Sequence, residues 1–288
     1  MPIGKILASV TGGLRDGAVL GYAIAAARPF NAHVAAIFIR PDLAEAIAFF
    51  SDGVSGAMVE EVISASRDAA SEAAKRVEAT LATVCGKANV AIVPGPARAD
   101  RVTVSFRQAE GNVTDRLTEA ARLADLVVFG PLQESDKAGL TDAFVQTLTE
   151  TDRPVLLATA EAPAAFARRI AIGWDGKNAA SQAVSAALPY LVRAEAVEVL
   201  SVRRAGASPQ PSGDLREYLA LHGVASSERI IERSTRGTGE VLLDGAMEGG
   251  ADLLVVGGYG HSRIRESLIG GVTRHVITHA RLPVFMVH

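Results

Sequence analysis

The stretch Gly257-Gly-Tyr-Gly260-His-Ser-Arg-Ile-Arg-Glu-Ser-Leu-Ile-Gly270-Gly271-Val-Thr273 sets glycines on both sides of a strand-to-helix passage. Glycine lacks the Cβ that would hold a ligand away from the backbone, so Gly257 and Gly260 suit a turn that approaches a ligand closely. Before the passage runs Ala251-Asp-Leu-Leu-Val-Val256, a short apolar stretch of the kind buried on both faces of a parallel sheet. After Gly270 and Gly271, the residues Val272 to Ala280 read as a helix whose first-turn amides have no partner within it. An anion at such a helix end gains about 0.3–1 kcal/mol, so several convergent amides can hold a polyphosphate. The chemistry implied is phosphate binding by main-chain N–H groups.

The loop is neither of the two better-known phosphate loops. No Lys follows the final glycine pair, which excludes Walker-type mechanics. A dinucleotide fingerprint would follow the first strand and be joined by an acid about 20 residues on. His261 and Arg263, inside the loop, are either donors to phosphate oxygens or solvated loop residues. Asp175, where an earlier strand ends, is either a contact to ribose or phosphate-bound Mg²⁺, or a helix N-cap. Trp174 beside it either stacks on a base or packs on its neighbours. His275 and His279 share a helix face at a spacing that can ligate zinc, but no third ligand is near in sequence, and a solvated face is preferred.

These residues belong to an internal repeat. Lys5-Ile-Leu-Ala-Ser-Val-Thr11-Gly12 matches Arg169-Ile-Ala-Ile-Gly-Trp-Asp175-Gly176, and Ala124-Asp-Leu-Val-Val-Phe-Gly130 matches Ala251-Asp-Leu-Leu-Val-Val-Gly257. Arg153-Pro-Val-Leu-Leu-Ala158 likewise matches Leu282-Pro-Val-Phe-Met-Val287. In the first copy the pattern predicts strands over 4–10, 33–39, 101–107, 125–130 and 155–159, with helices over 16–28, 57–84, 112–123 and 138–150. In the second it predicts strands over 169–174, 196–202, 229–233, 252–257 and 284–287, with helices over 178–193, 212–222, 238–249 and 270–280. Alternation of this kind makes a parallel sheet with right-handed crossovers and helices on both faces. Ligands then lie beyond the carboxyl ends of the strands. Two domains are expected, 1–160 and 168–288, joined by the Pro- and Ala-containing stretch Glu161 to Ala167.

The first copy has lost the cradle. Gln133 stands opposite Gly260, and Thr141 and Asp142 stand opposite Gly270 and Gly271. A carboxylate about 4 Å from a phosphate charge costs roughly 4 kcal/mol at an effective dielectric near 20. Thr11 also replaces Asp175. The first copy is therefore expected to bind no nucleotide, with Asp142 as the excluding charge.

Two such repeats, with Asp175 ending a first strand and the spacing Gly257, Gly260, Gly270 after a fourth, resemble the tandem universal stress proteins over nearly the whole chain. The resemblance implies two doubly wound α/β repeats, each a five-stranded parallel sheet in the order 3-2-1-4-5. It further implies that Asp175, Val202, Arg233, Gly257, Gly260, His261, Arg263, Gly270, Gly271, Val272 and Thr273 surround ATP or a related adenine nucleotide, with or without Mg²⁺. Val202 and Arg233 would frame the base. The family pattern has Ser or Thr where this chain has Gly271, so one hydrogen bond to the ligand is missing, and Thr273 is a possible substitute donor. The family's habit of covering its last strand implies an internal pseudo-dimer through Pro283 to His288, with a homodimer of chains also plausible.

Composition narrows the field. A net charge of −3 over 288 residues provides no general basic field for nucleic acid or anionic lipid. No apolar run reaches the roughly 18 residues that span a bilayer, and the N-terminus lacks a signal peptide's pattern. Cys85 is the single cysteine, which suits a reducing cytoplasm. Glu60, Glu61, Arg67, Asp68 and Glu72 interrupt the apolar residues around Met58 to Ala65, so the long first-copy helix reads as amphipathic rather than membrane-bound. The apolar Leu43 to Phe50 reads as packing against the first domain, or as cover for a small cavity or subunit contact. Three functions stay open: a regulatory stress-response module binding ATP with at most slow hydrolysis, an adenine-nucleotide-dependent hydrolase or adenylating enzyme, and a ligand-free scaffold.

Overall fold

The computed structural model describes residues 3–40, 56–96, 99–132, 138–204, 212–233, 235–258 and 271–288. The first repeat runs β1 (Lys5–Val10), α1 (Asp16–Ala27), β2 (His33–Arg40), α2 (Gly56–Ala88), β3 (Ala91–Ile92), β4 (Thr103–Glu110), α3 (Val113–Ala121), β5 (Leu126–Phe129), α4 (Ala138–Glu150) and β6 (Val155–Leu157). The second runs β7 (Arg169–Gly173), α5 (Asn178–Leu191), β8 (Ala196–Arg204), α6 (Gly213–Leu221), β9 (Ser227–Arg233), α7 (Thr238–Glu248), β10 (Leu253–Gly257), α8 (Gly271–His279) and β11 (Val284–Val287).

The eleven strands among the described residues join one sheet, ordered β3-β4-β2-β1-β5-β6-β11-β10-β7-β8-β9. Every neighbouring pair is parallel except β6 and β11, which run antiparallel with Phe285 opposite Leu156. The last strands of the two repeats thus cover each other's edges, as expected of an internal pseudo-dimer. Two expectations need correction. The first repeat has a sixth strand, β3, too short and too exposed to leave an apolar signature. The repeats are also not two separate sheets, because backbone hydrogen bonding continues through the junction.

Side chains alternate between the two faces at the period of a strand. Ile6, Ala8 and Val10 of β1 enter one core with Leu253 and Val255 of β10, while Leu7, Leu254 and Val256 enter the other. The matched Ala-Asp pairs have a structural role. The Asp125 carboxylate accepts from the amides of Gly4 and Lys5 at 2.8 and 2.9 Å. Asp252 accepts from Arg168 and Arg169 at 3.1 and 3.0 Å. In each repeat the acid before the fourth strand thus holds the entry of the first.

His33 sits at the amino end of β2, its ring nitrogens 2.8 Å from both Thr103 Oγ1 and Ser105 Oγ. Burial, and secondarily the charge of Lys5, hold its pKa below the usual 6.5. Between the usual and the lowered value the unfolded imidazole takes up a proton that the folded one does not. Stability is therefore full above about 6.5 and declines as pH falls through that window. Urea midpoints measured from pH 7 to pH 5 should fall more steeply for the wild type than for His33→Gln.

Candidate functional site

In the second repeat β7, β8, β9, β10 and β11 are mutually parallel, so their carboxyl ends share one edge. That edge carries Asp175 after β7, Val202 near the end of β8, Arg233 at the end of β9 and Gly257 at the end of β10. Gly271, Val272 and Thr273 form the first turn of α8. The remaining sequence candidates, Gly260, His261, Arg263 and Gly270, lie outside the described residues.

Asp175 is exposed and does not cap α5. One carboxylate oxygen accepts from the Lys177 amide at 3.0 Å, and the other lies 3.7 Å from Lys177 Nζ. Its remaining acceptor capacity faces solvent, available to a ribose hydroxyl or a hydrated cation. Trp174 is half-buried, packs on the core and donates its amide to the Leu200 carbonyl at 2.9 Å. Val202 is half-buried and pairs with Ile231 of β9. Arg233, also half-buried, donates to the Arg236 carbonyl at 3.1 Å and joins no ion pair among the described residues. Arg236 in turn is neutralised by Glu240 and Asp244.

The glycines differ in what they do. A Cβ on Gly257 would stand 2.5 Å from backbone atoms of Ala179 and Ala180. Its missing side chain therefore admits the first turn of α5 onto β10, a packing role beside the ligand role expected of it from the sequence. A Cβ on Gly271 would meet nothing within 4 Å among the described residues. Thr273 is buried and faces inward.

The same edge of the first repeat is filled. Asp16, the first residue of α1 and 2% exposed, turns back over the loop that precedes it. Its carboxylate accepts from the Thr11 amide at 3.0 Å, the Gly12 amide at 2.7 Å and the Thr11 hydroxyl at 3.3 Å. Burial pushes the Asp16 pKa up, and these hydrogen bonds only partly offset it. Arg15 reaches from the end of β1 to the Pro131 carbonyl beyond β5, at 3.0 Å. Helix α2 presses on the loop, since a Cβ on Gly12 would lie 2.6 Å from Ala73 Cβ. Arg76 of the same helix donates to the Gly12 carbonyl at 2.9 Å. Asp142, the charge the sequence singled out, is exposed within α4. The carboxylate that occupies this edge is Asp16. Its signal in the sequence is an acid at the helix start just after Thr11-Gly-Gly13, which the sequence reading did not single out.

A separate hollow of about 110 Å³ lies at the opposite edge of β7 to β9, lined by Arg169, Glu198 and Gly249 among others. Its charged groups are engaged. Glu198 takes both Nε and a terminal nitrogen of Arg229 at 3.1 and 3.0 Å, and Arg169 donates to the Gly249 carbonyl at 3.1 Å. Among the described residues, no helix is long and apolar enough to cross a membrane.

A doubly wound repeat of this order, with a glycine-bearing crossover after its fourth strand, defines a class of α/β proteins that place ligands at the carboxyl edge. Residues 167–288 match the model of the universal stress protein family. The whole chain shares its fold with a solved universal stress protein from Archaeoglobus fulgidus DSM 4304, at 16% identity and a TM-score of 0.69, covering 98% of this chain and 97% of that one. It is similar too to a putative universal stress protein from Pseudomonas aeruginosa UCBPP-PA14, at 18% identity and a TM-score of 0.57, covering 99% and 93%. No curated protein matches the sequence.

Proposed function

We propose that the second repeat binds ATP or a related adenine nucleotide, with or without Mg²⁺, and that the chain works as a cytoplasmic stress-response regulator with little or no turnover. What supports this reading is the contrast between the two carboxyl edges. In the first repeat a carboxylate, an arginine and a helix occupy the edge; in the second, Asp175 is exposed and no described residue stands within 4 Å of a Cβ on Gly271. Asp175 would lie near the ribose or a phosphate-bound Mg²⁺. Val202 and Arg233 would frame the base, and Arg233 brings a charge that no described carboxylate cancels. The amides and side chains of Gly257, Gly260, His261, Arg263, Gly270, Gly271, Val272 and Thr273 would surround the phosphates. Hydrolysis needs a positioned water and charge stabilisation, and a lone Asp175 supplies too little for rapid turnover.

Calorimetric titration of the nucleotide-stripped protein with Mg·ATP, AMP and GTP tests the proposal. Trp174 is the chain's single tryptophan and adjoins Asp175, so binding at this edge should also change its fluorescence. Heat with no Trp174 response would place the ligand elsewhere. No heat for any of the three at millimolar concentration would leave the scaffold reading, and rapid multiple turnover would favour the enzyme.

The residue after Gly270 offers a gain-of-affinity test. Gly271→Ser meets no obstacle among the described residues and adds the hydroxyl of the family pattern. A hydrogen bond to a charged group is worth about 1.5–3 kcal/mol, so Mg·ATP should bind at least about tenfold more tightly, read by the same titration.

A further inference from the structure

His275 and His279 share one face of α8, while Val276 and Ile277 between them are buried in the core. Spacing alone prefers a solvated face; the ring geometry reverses that preference. The two imidazoles lie parallel, with centroids 4.2 Å apart and 6° between their planes. Gly239 of α7 fixes the first ring from the side, since a Cβ there would lie 3.1 Å from His275 Cβ and 3.4 Å from its Cδ2.

Hydrogen bonds fix the second ring. His279 Nδ1 lies 3.1 Å from the His275 carbonyl and 2.7 Å from Thr278 Oγ1. A carbonyl only accepts, so Nδ1 carries the ring's proton. The Thr278 hydroxyl gives its own hydrogen to the Arg274 carbonyl at 2.9 Å and turns a lone pair to Nδ1. The free lone pair of His279 therefore sits on Nε2. Metal-binding histidines make this kind of outer contact, an N–H given to a carbonyl that sets the tautomer and makes the other nitrogen more basic.

We infer that His275 and His279 form a two-histidine site for a divalent transition ion such as Zn²⁺, rather than for Mg²⁺ or Ca²⁺, which prefer oxygen ligands. Two tetrahedral ligand nitrogens at about 2.0–2.1 Å from zinc stand about 3.3 Å apart, so a slight tilt of rings 4.2 Å apart closes the clamp. No third His, Cys, Asp or Glu joins them among the described residues, which leaves the other coordination positions to water. The pair sits in the last turns of α8, where the helix carbonyls favour a positive charge. The first repeat does not carry it: counted from the matched Pro154 and Pro283, the same places hold Gln146 and Glu150, which bond each other at 3.0 Å. Half the ligands of a structural zinc site contribute roughly half its binding free energy, which gives a dissociation constant of about 1–200 μM.

Calorimetric titration of the full, untagged chain with ZnCl₂ tests the site, and the absence of nucleotide keeps the result independent of the second repeat's proposed ligand. The wild type should bind one ion in that range, and its thermal midpoint should rise by about 5 °C at a hundredfold excess over the dissociation constant. MgCl₂ should do neither. His275→Ala and His279→Ala should each weaken zinc binding at least about tenfold and abolish the thermal shift, with unchanged circular dichroism. A wild type that takes up no zinc at about 1 mM, zinc binding that survives either substitution, or an equal response to magnesium would overturn the inference.

Discussion

Gly260→Asp is expected to weaken Mg·ATP binding by about a thousandfold. One carboxylate about 4 Å from a phosphate charge costs roughly 4 kcal/mol at an effective dielectric near 20, and each 1.4 kcal/mol is a factor of about ten. Gly260 stands in the sequence between β10 and α8, in the glycine-bearing stretch assigned to the phosphates. The reciprocal change separates two explanations for the first repeat. If Asp142 alone excluded phosphate, Asp142→Gly would create a second site. The structure leads to the opposite result, because Asp16 still holds the Thr11 and Gly12 amides and α2 still lies on Gly12. Titration of Asp142→Gly should therefore return the wild-type stoichiometry of one. A stoichiometry of two would show that the edge opens more readily than these contacts imply.

Tyr190→Ala is expected to cost about 3–5 kcal/mol of stability, the range for removing a large buried ring. Tyr190 is 1% exposed and joins the two repeats. Its hydroxyl donates to the Ala26 carbonyl at 3.1 Å, in the last turn of α1, where carbonyls have no partner within the helix. Its ring meets Phe30, Phe166 and Phe285 edge to face, with centroids 5.2, 5.7 and 6.2 Å apart. These residues come from the first repeat, the connecting stretch and the last strand. Removing the ring should loosen the coupling between repeats as well as lower stability. Urea unfolding followed by Trp174 fluorescence, which reports the second repeat, and by circular dichroism, which reports both, should give coincident curves for the wild type and separated curves for Tyr190→Ala. Tyr190→Phe keeps the ring contacts and should cost only about 1 kcal/mol.

Most of the architecture was legible because a parallel sheet buried on both faces writes short, nearly continuous apolar runs. The runs at Leu126 to Phe129 and Leu253 to Gly257 became β5 and β10. The repeated Pro-Val openings became β6 and β11, and their edge-to-edge pairing followed from two apolar last strands that both needed cover. Strand β3 escaped because Ala91 and Ile92 are exposed and too few to form a pattern. In the site, the shared edge was readable from the order of elements. The purpose of individual residues was not, since it depends on contacts distant in sequence. Gly257 serves the passage of α5, and the repeated acids Asp125 and Asp252 serve strand entry. Asp16 was missed because a cap normally accepts from amides that follow it, whereas this carboxylate accepts from amides that precede it.

The antiparallel seam between β6 and β11 also governs how the protein resists uncontrolled polymerisation. Among the described residues it leaves β3 and β9 as outer borders: the first is two residues long, and the second carries Glu228, Arg229, Glu232 and Arg233, so neither invites another chain to add on. A fragment ending soon after residue 160 would instead present Val155, Leu156 and Leu157 unpartnered, and would be driven to pair with itself or precipitate. Each half acts in this sense as the other's permanent chaperone.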